Sequence, residues 1–305
     1  MASVVDRPRP RRIGLLQVAV SLAALAGIVW WGSRQRAPHV PVDARSLAEL
    51  AGALALYVVA TSLRAERWHR ILVRSRLDRG RGESYRLTAI GYMGNNTLPA
   101  RAGDLMKVVL LGGPRRGVLG TVIAERLLDV GALAVIFAFV VLDRGLGFGP
   151  LPYLVAAGVS ALVVAAALWR FAPSARRLLA AREWARPAAG ATKDLVSAHG
   201  AALLVLSLAI WLLEASVYLV VGRAVDIHLG ATSALYVTAL TNLSAAIPAA
   251  PGYVGTYDAA VLLALRSLHH TSDSLGYLLI LRFILFVPVT LVGFVLLLLR
   301  QRRRA

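Results

Sequence analysis

The chain has 305 residues, of which 58% are hydrophobic, and its mean hydropathy is +0.66. Several uninterrupted apolar runs place it among integral membrane proteins and exclude a water-soluble globular domain. Cysteine is absent, which excludes disulfides, thiolate metal sites and cysteine nucleophiles. The net charge of +18 is spread in short basic bursts between the apolar runs, which indicates membrane orientation and not nucleic-acid binding.

Six apolar segments are long enough to cross a hydrocarbon core of about 30 Å. The first of them ends in Trp30 and Trp31 without a convincing cleavage site, so we expect a retained span and no signal peptide. The predicted full-length spans are 13–33, 46–64, 118–142, 151–170, 200–222 and 275–299.

Two further apolar segments, 84–112 and 232–267, are each interrupted by prolines and glycines. Each half is shorter than the roughly 20 residues that a helix needs to cross. Each segment is therefore either one damaged span or a re-entrant helix hairpin, which enters and leaves the membrane on the same side. Lys and Arg concentrate in the cytoplasmic loops of membrane proteins. With both termini cytoplasmic, many more of the Lys and Arg residues fall on the cytoplasmic side if both segments are hairpins than if both are single spans.

With two hairpins, the chain is a single all-α integral membrane domain, residues 1–305, made of two similar halves. Residues 13–142 contain two spans, a hairpin and a third span, and residues 151–299 repeat that order. Because each half crosses three times, the second half is expected to be an inverted repeat of the first. Inverted repeats with broken helices near the midplane are a recurring design of secondary transporters.

The segment 64–86 mixes arginines with Trp68 and aliphatic residues. It is either a basic interfacial helix on the anionic cytoplasmic leaflet or a plain cytoplasmic loop. Both interpretations place it at the membrane surface.

The first hairpin is broken by the stretch NNTLPARAGDLMK, residues 95–107. Irregular backbone at membrane depth is tolerated only when it is buried in protein or lines a wet cavity. Asn95 and Asn96 are expected to bond the carbonyls that Pro99 leaves free, while Gly103 gives a small, flexible start to the next helix.

Three charged residues follow this break at helical spacing: Arg101, Asp104 and Lys107. They share one helical face, which is either a phosphate site assisted by the helix N-terminus or a self-contained ion-pair ladder.

The next span opens with AERLLDV, in which Glu125 and Asp129 share a face and Arg126 reaches Asp129. Charges at this depth cost at least about 2.5–3.5 kcal/mol each, so their partners should be near and a function is indicated. Arg101 and Lys107 are the expected complement.

In the second half, Glu214 and Arg282 lie within predicted spans, and we expect them to form a structural ion pair. Asp258 follows the second break early in a new half-helix, where it is either a cap-like residue or part of a site. Four residues are expected to end one half-helix there and begin the other: Pro248, Pro251, Gly252 and Gly255.

Other chemistry is sparse. The histidines show no metal-ligand spacing, no nucleotide-binding loop is present, and we expect neither a metal nor a cofactor. No soluble segment is large enough for a catalytic domain, so the chain is not expected to be an enzyme.

Three motifs carry a resemblance to a known family: NNTLPARAGDLMKVVLL, AERLLDV and PGYVGTYDAAV. In this order they resemble the lysylphosphatidylglycerol synthase transmembrane, or flippase-like, family over about residues 13–300. The resemblance implies a lipid-handling membrane fold, and the aminoacyl-transfer domain of the full-length synthases is missing.

The family motifs match this chain residue by residue, with three departures: Asp104 and Asp258 stand where glutamate is usual, and Tyr253 replaces a glycine. These departures bear on the lipid head group more than on the mechanism. The positions that match are Pro99, Ala100, Arg101, Ala102, Gly103, Glu125, Arg126, Asp129, Pro251, Gly252 and Gly255.

The leading hypothesis is a flippase-like protein of the cell membrane that moves a phospholipid or related lipid between leaflets. The expected partners are anionic or aminoacylated phospholipids or polyprenyl-phosphate lipids, and a second copy of the chain is a further candidate. The alternatives are a membrane-embedded transferase acting on a lipid phosphate, or a non-transporting partner of an envelope lipid synthase. The candidate substrate-binding residues are Asn95, Asn96, Arg101, Asp104, Lys107, Glu125, Arg126, Asp129 and Asp258.

Overall fold

The computed structural model describes residues 43–98, 101–144, 197–244, 251–270 and 273–302. The predicted spans 13–33 and 151–170 lie outside the described residues, as do Pro99, Ala100 and Pro248. The described residues form eight α-helices: α1 (Ala44–Arg74), α2 (Arg81–Thr97), α3 (Ala102–Leu111), α4 (Arg115–Arg144), α5 (Ala198–Ala224), α6 (Ala231–Ser244), α7 (Thr256–Ser267) and α8 (Ser274–Arg302), with a short 3-10 helix at Pro251–Tyr253.

Three described helices, α1, α5 and α8, are long and apolar enough to cross a membrane. They contain the predicted spans 46–64, 200–222 and 275–299. α4 contains the predicted span 118–142 and is 30 residues long, but it carries Glu125, Arg126 and Asp129 in its middle.

Side-chain caps fix where two of the long helices begin. Asp43 accepts a hydrogen bond from the backbone N–H of Ser46 at 2.9 Å, which also lowers the pKa of its carboxyl below the ordinary value. Ser197 accepts one from Gly200 at the start of α5. Each cap satisfies a backbone donor that the first helical turn leaves without a partner.

Each of the two interrupted segments is a pair of packed helices. α2 and α3 form the first pair, and α6 and α7 form the second. Gly103 allows the arms of the first pair to approach closely, since a methyl group there would lie 1.9 Å from the carbonyl oxygen of Gly91. Its role is therefore tight packing between the arms, in addition to the start of a helix.

The two halves pack in the same way. If α1 is exchanged with α5, α2 with α6, α3 with α7 and α4 with α8, every major contact between described helices is mapped onto another major contact. The α2–α8 contact becomes α6–α4, for example, and α1–α5 maps onto itself. The helix packing thus has a twofold internal repeat.

The repeat can be placed in register along the chain. α1 ends at Arg74 and α5 at Ala224, while α2 begins at Arg81 and α6 at Ala231, so both boundaries are 150 residues apart. Arg76 and Asp226 keep this separation, and both have left-handed backbones with φ of 55° and 57°. The turns after α1 and α5 are therefore equivalent.

The segment 64–86 is not a single element: residues 64–74 are the last turns of α1, residues 75–80 form a turn, and α2 begins at Arg81. α1 continues to Arg74, and its last turns carry Arg64 and Arg67 into the protein interior, where both side chains are buried. The helix thus extends ten residues beyond the predicted end of the span at residue 64, and these two arginines have partners inside the protein.

Candidate functional site

A cavity of about 150 Å³ lies where the two halves meet. Both halves contribute to its wall, in which charged and amide side chains stand among aromatic and aliphatic ones. The lining consists of Tyr57, Arg64, Tyr92, Asn95, Asn96, Arg101, Arg126, Asp129, Trp211, Glu214, Asn242, Tyr253 and Tyr257, together with Val130, Leu133, Leu243, Leu285 and Phe286.

An ion pair between the two central helices forms one wall of this cavity. Arg64 on α1 donates a hydrogen bond from Nη2 to Oε2 of Glu214 on α5, and the two side chains are only 4% and 6% exposed. The guanidinium also lies 4.8 Å from the ring centroid of Trp211. Because Arg64 and Glu214 are 150 residues apart, they occupy equivalent positions in the two halves.

The predicted pair between Glu214 and Arg282 is therefore wrong. Glu214 is bound to Arg64, and Arg282 donates from Nε to Asp258. Depth in a span can be estimated from sequence, but the helix that faces a given side chain cannot. Here α5 faces α1 across the repeat, and α8 faces the second hairpin.

Asp129 on α4 is shared by two arginines. Arg67 Nη2 lies 2.8 Å from one carboxylate oxygen of Asp129, and Arg126 donates to the other at 3.3 Å. Arg126 also donates to both oxygens of Asp104, at 2.8 and 3.0 Å. The predicted contact between Arg126 and Asp129 is confirmed, and the guanidinium of Arg126 joins α4 to the first hairpin.

Lys107 is held behind the cavity and does not line it. Its ammonium donates to Glu125 at 2.6 Å and lies 4.1 Å from the ring centroid of Trp68. Arg67 Nη2 is 3.7 Å from the other oxygen of Glu125. The expected pairing of Lys107 with the acids of α4 is confirmed, whereas the ladder along α3 is not what forms, since Asp104 and Lys107 each bond to α4.

The amides of the first hairpin do not have the predicted partners. Asn95 holds the start of α3, because its Oδ1 accepts the backbone N–H of Asp104 at 3.2 Å and its Nδ2 donates to the Asp104 carboxylate at 3.2 Å. Asn96 donates to Thr290 of α8 at 2.9 Å. The asparagines thus tie the hairpin to its own returning arm and to the other half.

The second hairpin begins α7 with a cap. Gly255, at φ 92°, donates its N–H to Asp258 at 2.9 Å, and only glycine adopts that backbone without strain. Arg282 donates to Asp258 and, at 3.2 Å, to the carbonyl of Gly252. The cap-like role of Asp258 is confirmed, and the ion pair adds a link to α8.

The two hairpins carry equivalent acid–arginine pairs. Asp104 and Asp258 both stand in the first turn of the returning arm, and their arginines, Arg126 and Arg282, both lie on the helix that follows. The tips also touch, since the guanidinium of Arg101 lies 5.4 Å from the ring centroid of Tyr253.

The predicted site residues therefore divide into two groups. Those that line the cavity are Asn95, Asn96, Arg101, Arg126 and Asp129; those held in ion pairs outside its lining are Asp104, Lys107, Glu125 and Asp258. Sequence reasoning missed Arg64 and the aromatic residues of the wall. The 150-residue separation of Arg64 and Glu214 is a signal that could have found the pair.

The arrangement suits an anion that carries further polar groups. Three guanidinium groups, from Arg64, Arg101 and Arg126, line the cavity beside the carboxylates of Asp129 and Glu214, which leaves an excess of positive charge. Guanidinium groups recognise phosphate oxygens in pairs. The described residues contain no group of three or more acidic or histidine side chains that could hold a metal ion.

The comparisons with known proteins agree with the motifs. The model of the lysylphosphatidylglycerol synthase transmembrane region matches residues 15–293, while no curated protein and no solved structure gives a significant match. The predicted resemblance is confirmed over nearly the predicted range. The chain belongs to the lysylphosphatidylglycerol synthase transmembrane-region family and is a multi-pass membrane protein.

Proposed function

We propose that the chain translocates a phospholipid or a related lipid between the two leaflets of the cell membrane. The observation that carries this proposal is the charged cavity between helices that are long and apolar enough to cross a membrane. Buried charges are costly in hydrocarbon and mark the paths of polar substrates. At about 150 Å³, the cavity is smaller than the roughly 300–1,000 Å³ of drug-sized pockets and fits a phosphate head group without its acyl chains.

The proposed topology has six spans and two re-entrant hairpins, with both termini cytoplasmic. The distribution of Lys and Arg supports it. The twofold packing of the helices supports a repeat, and three crossings in each half make that repeat inverted. In this topology the first hairpin enters from the cytoplasm and the second from the outside, so that their tips meet beside the cavity.

In the proposed mechanism, Arg101 and Arg126 bind the phosphate, and Arg64 lines the same cavity. Asp129 and Glu214 orient the guanidinium groups and face any cationic part of the head group. Lys107, Glu125, Asp104 and Asp258 balance charge and hold the hairpins. Rocking of one half against the other would expose the cavity to each leaflet in turn.

The carboxylates of the cavity favour transport over the alternative of a transferase. A general base needs a carboxylate that is free to take a proton in the reaction. Asp129 and Glu214 are each held in an ion pair with arginine, so neither carboxylate is free to act as a base. Thin-layer analysis of the lipid after transport tests this point, since translocation leaves it chemically unchanged and a transferase does not.

The experiment is a flipping assay in liposomes that contain a fluorescent anionic phospholipid. We expect wild-type protein to expose lipid from the inner leaflet, and Arg126→Ala and Asp129→Ala to slow exposure at least tenfold. Arg70→Ala is the matched control, because Arg70 is 52% exposed and points away from the cavity lining. Wild-type liposomes that flip no faster than protein-free ones would refute the proposed function, and equal rates for all variants would refute the site.

A further inference from the structure

A second cavity opens on the outer surface between α1, α2 and α8. Its volume is about 380 Å³, and its wall is mainly apolar. We call it the α8 groove. Val58 of α1, Tyr85 of α2 and Val292 of α8 line it and are 55%, 39% and 53% exposed. Since α1 and α8 are both long and apolar enough to cross a membrane, we expect the groove to face hydrocarbon.

The α8 groove and the central cavity share one residue. Tyr57 of α1 lines both, and its side chain is almost completely buried between them. The side chain of Tyr57 therefore lies between the charged cavity and the apolar groove. A phospholipid has the same arrangement of polar and apolar parts, because its charged head group is joined to apolar acyl chains.

The equivalent place in the other half is closed. In the repeat, the counterpart of the α8 groove lies between α5, α6 and α4, where Trp211 stands at the position of the smaller Thr61. When α4 and α8 are aligned on Arg126 and Arg282, four lining positions of α8 correspond to residues that are at most 5% exposed: Ala132, Leu133, Ile136 and Val140. Among the described residues, the opening is therefore found on the side of α1, α2 and α8.

We propose that the α8 groove binds one acyl chain of the lipid whose head group occupies the central cavity. This inference rests on the proposed function. The apolar wall lets the acyl chain stay in an apolar environment while the head group enters the charged cavity past Tyr57. The acyl chain is then not exposed to water, and the head group is not exposed to hydrocarbon. Lipid enters and leaves on the side of α1, α2 and α8, because the counterpart between α4, α5 and α6 is packed.

The test blocks the groove with a large side chain. Val292→Trp places an indole in the groove, and Val295→Trp is the matched control on the same helix, since Val295 is also 53% exposed but does not line the groove. Val58→Trp and Val59→Trp form a second pair on α1, with 55% and 49% exposure and only Val58 in the lining. All four positions are exposed, so the substitutions leave the core intact.

Two readouts are measured in liposomes of phosphatidylcholine with a tenth of phosphatidylglycerol. Phosphatidylglycerol with a photoreactive diazirine on one acyl chain should label residues of the α8 groove, and flipping is followed on the same preparations. We expect Val292→Trp and Val58→Trp to reduce both labelling and flipping at least fivefold, and the two controls to match wild type.

The outcomes separate the groove from the proposed function. Flipping at the wild-type rate by both groove variants, or labelling spread evenly over the lipid-facing surface, would overturn the groove while leaving translocation intact. Specific labelling of the groove that tryptophan removes, in a protein that flips no lipid, would support the groove and refute translocation.

Discussion

Arg64 and Glu214 bind one another across α1 and α5 from equivalent positions of the two halves. The exchange of helices that relates the two halves maps the position of Arg64 onto that of Glu214, and the position of Glu214 onto that of Arg64. The ion pair therefore lies at the local twofold centre of the helix packing. The repeat therefore carries opposite charges at this pair of equivalent positions. Two copies of either charge would repel each other there.

Removal of one member of this pair should be costly. Arg64→Ala leaves the carboxylate of Glu214 buried without compensation, which destabilises by about 3–5 kcal/mol. We expect a clear fall in the temperature of thermal unfolding in detergent relative to Arg70→Ala, which changes an exposed arginine of the same helix. Equal unfolding temperatures for the two variants would contradict the buried pair.

The double variant Arg64→Met, Glu214→Leu separates stability from function. Replacement of a buried ion pair by apolar residues of similar volume is often neutral or stabilising, so we expect its unfolding temperature to recover towards that of wild type. Lipid flipping should be lost, because the cavity no longer has the guanidinium group of Arg64. A double variant that flips lipid at the wild-type rate would show that the pair only supports the fold.

The equivalent pairs of the two hairpins should respond alike to loss of charge. Asp104→Asn and Asp258→Asn each keep the size of the side chain and weaken charge-assisted hydrogen bonds to Arg126 and to Arg282, respectively. Such bonds contribute about 1.5–3 kcal/mol. Chemical unfolding of both variants should show a loss of unfolding free energy in that range. A loss in only one variant would mean that the two structurally equivalent pairs contribute differently to stability.

Replacement by alanine should change the stability of the protein in opposite directions at two glycines of the first half. Gly103→Ala places a methyl group 1.9 Å from the carbonyl of Gly91 and must push α3 away from α2, so we expect a large loss of stability. Gly52, within α1, has nothing within 4 Å of an added methyl, and alanine there should stabilise by about 0.5–1 kcal/mol. Thermal unfolding of the two variants compares them directly, and a tolerated Gly103→Ala would contradict the close packing of the hairpin.

The predictions from sequence succeeded where the governing physics is local. The apolar length of α1, α5 and α8 and the cap formed by Asp258 were predictable, because each depends on neighbouring residues of the chain. The Glu214–Arg282 pair was wrong because partners on other helices depend on how the helices face one another. Arg64 was missed for a related reason, since an arginine near the end of an apolar run is counted as a cytoplasmic charge unless its buried partner is known.

The inversion of the repeat can be tested with two residues that are equivalent by sequence position. Asp78 and His228 follow α1 and α5, are both exposed, and keep the 150-residue separation of the repeat. In the proposed topology the turn after α1 is cytoplasmic and the turn after α5 is on the outside. Because the chain has no cysteine, Asp78→Cys and His228→Cys each introduce a single reactive thiol without background.

A membrane-impermeant maleimide applied to intact cells and to inside-out vesicles should therefore give opposite results for the two variants. His228→Cys should react in intact cells, and Asp78→Cys only in inverted vesicles, with detergent-solubilised protein as the control for reactivity. Reaction of both thiols from the same side would show that the repeat is parallel and not inverted. The two hairpins would then enter from one side of the membrane, and a cavity between their tips could not be exposed alternately by a symmetric exchange of the halves.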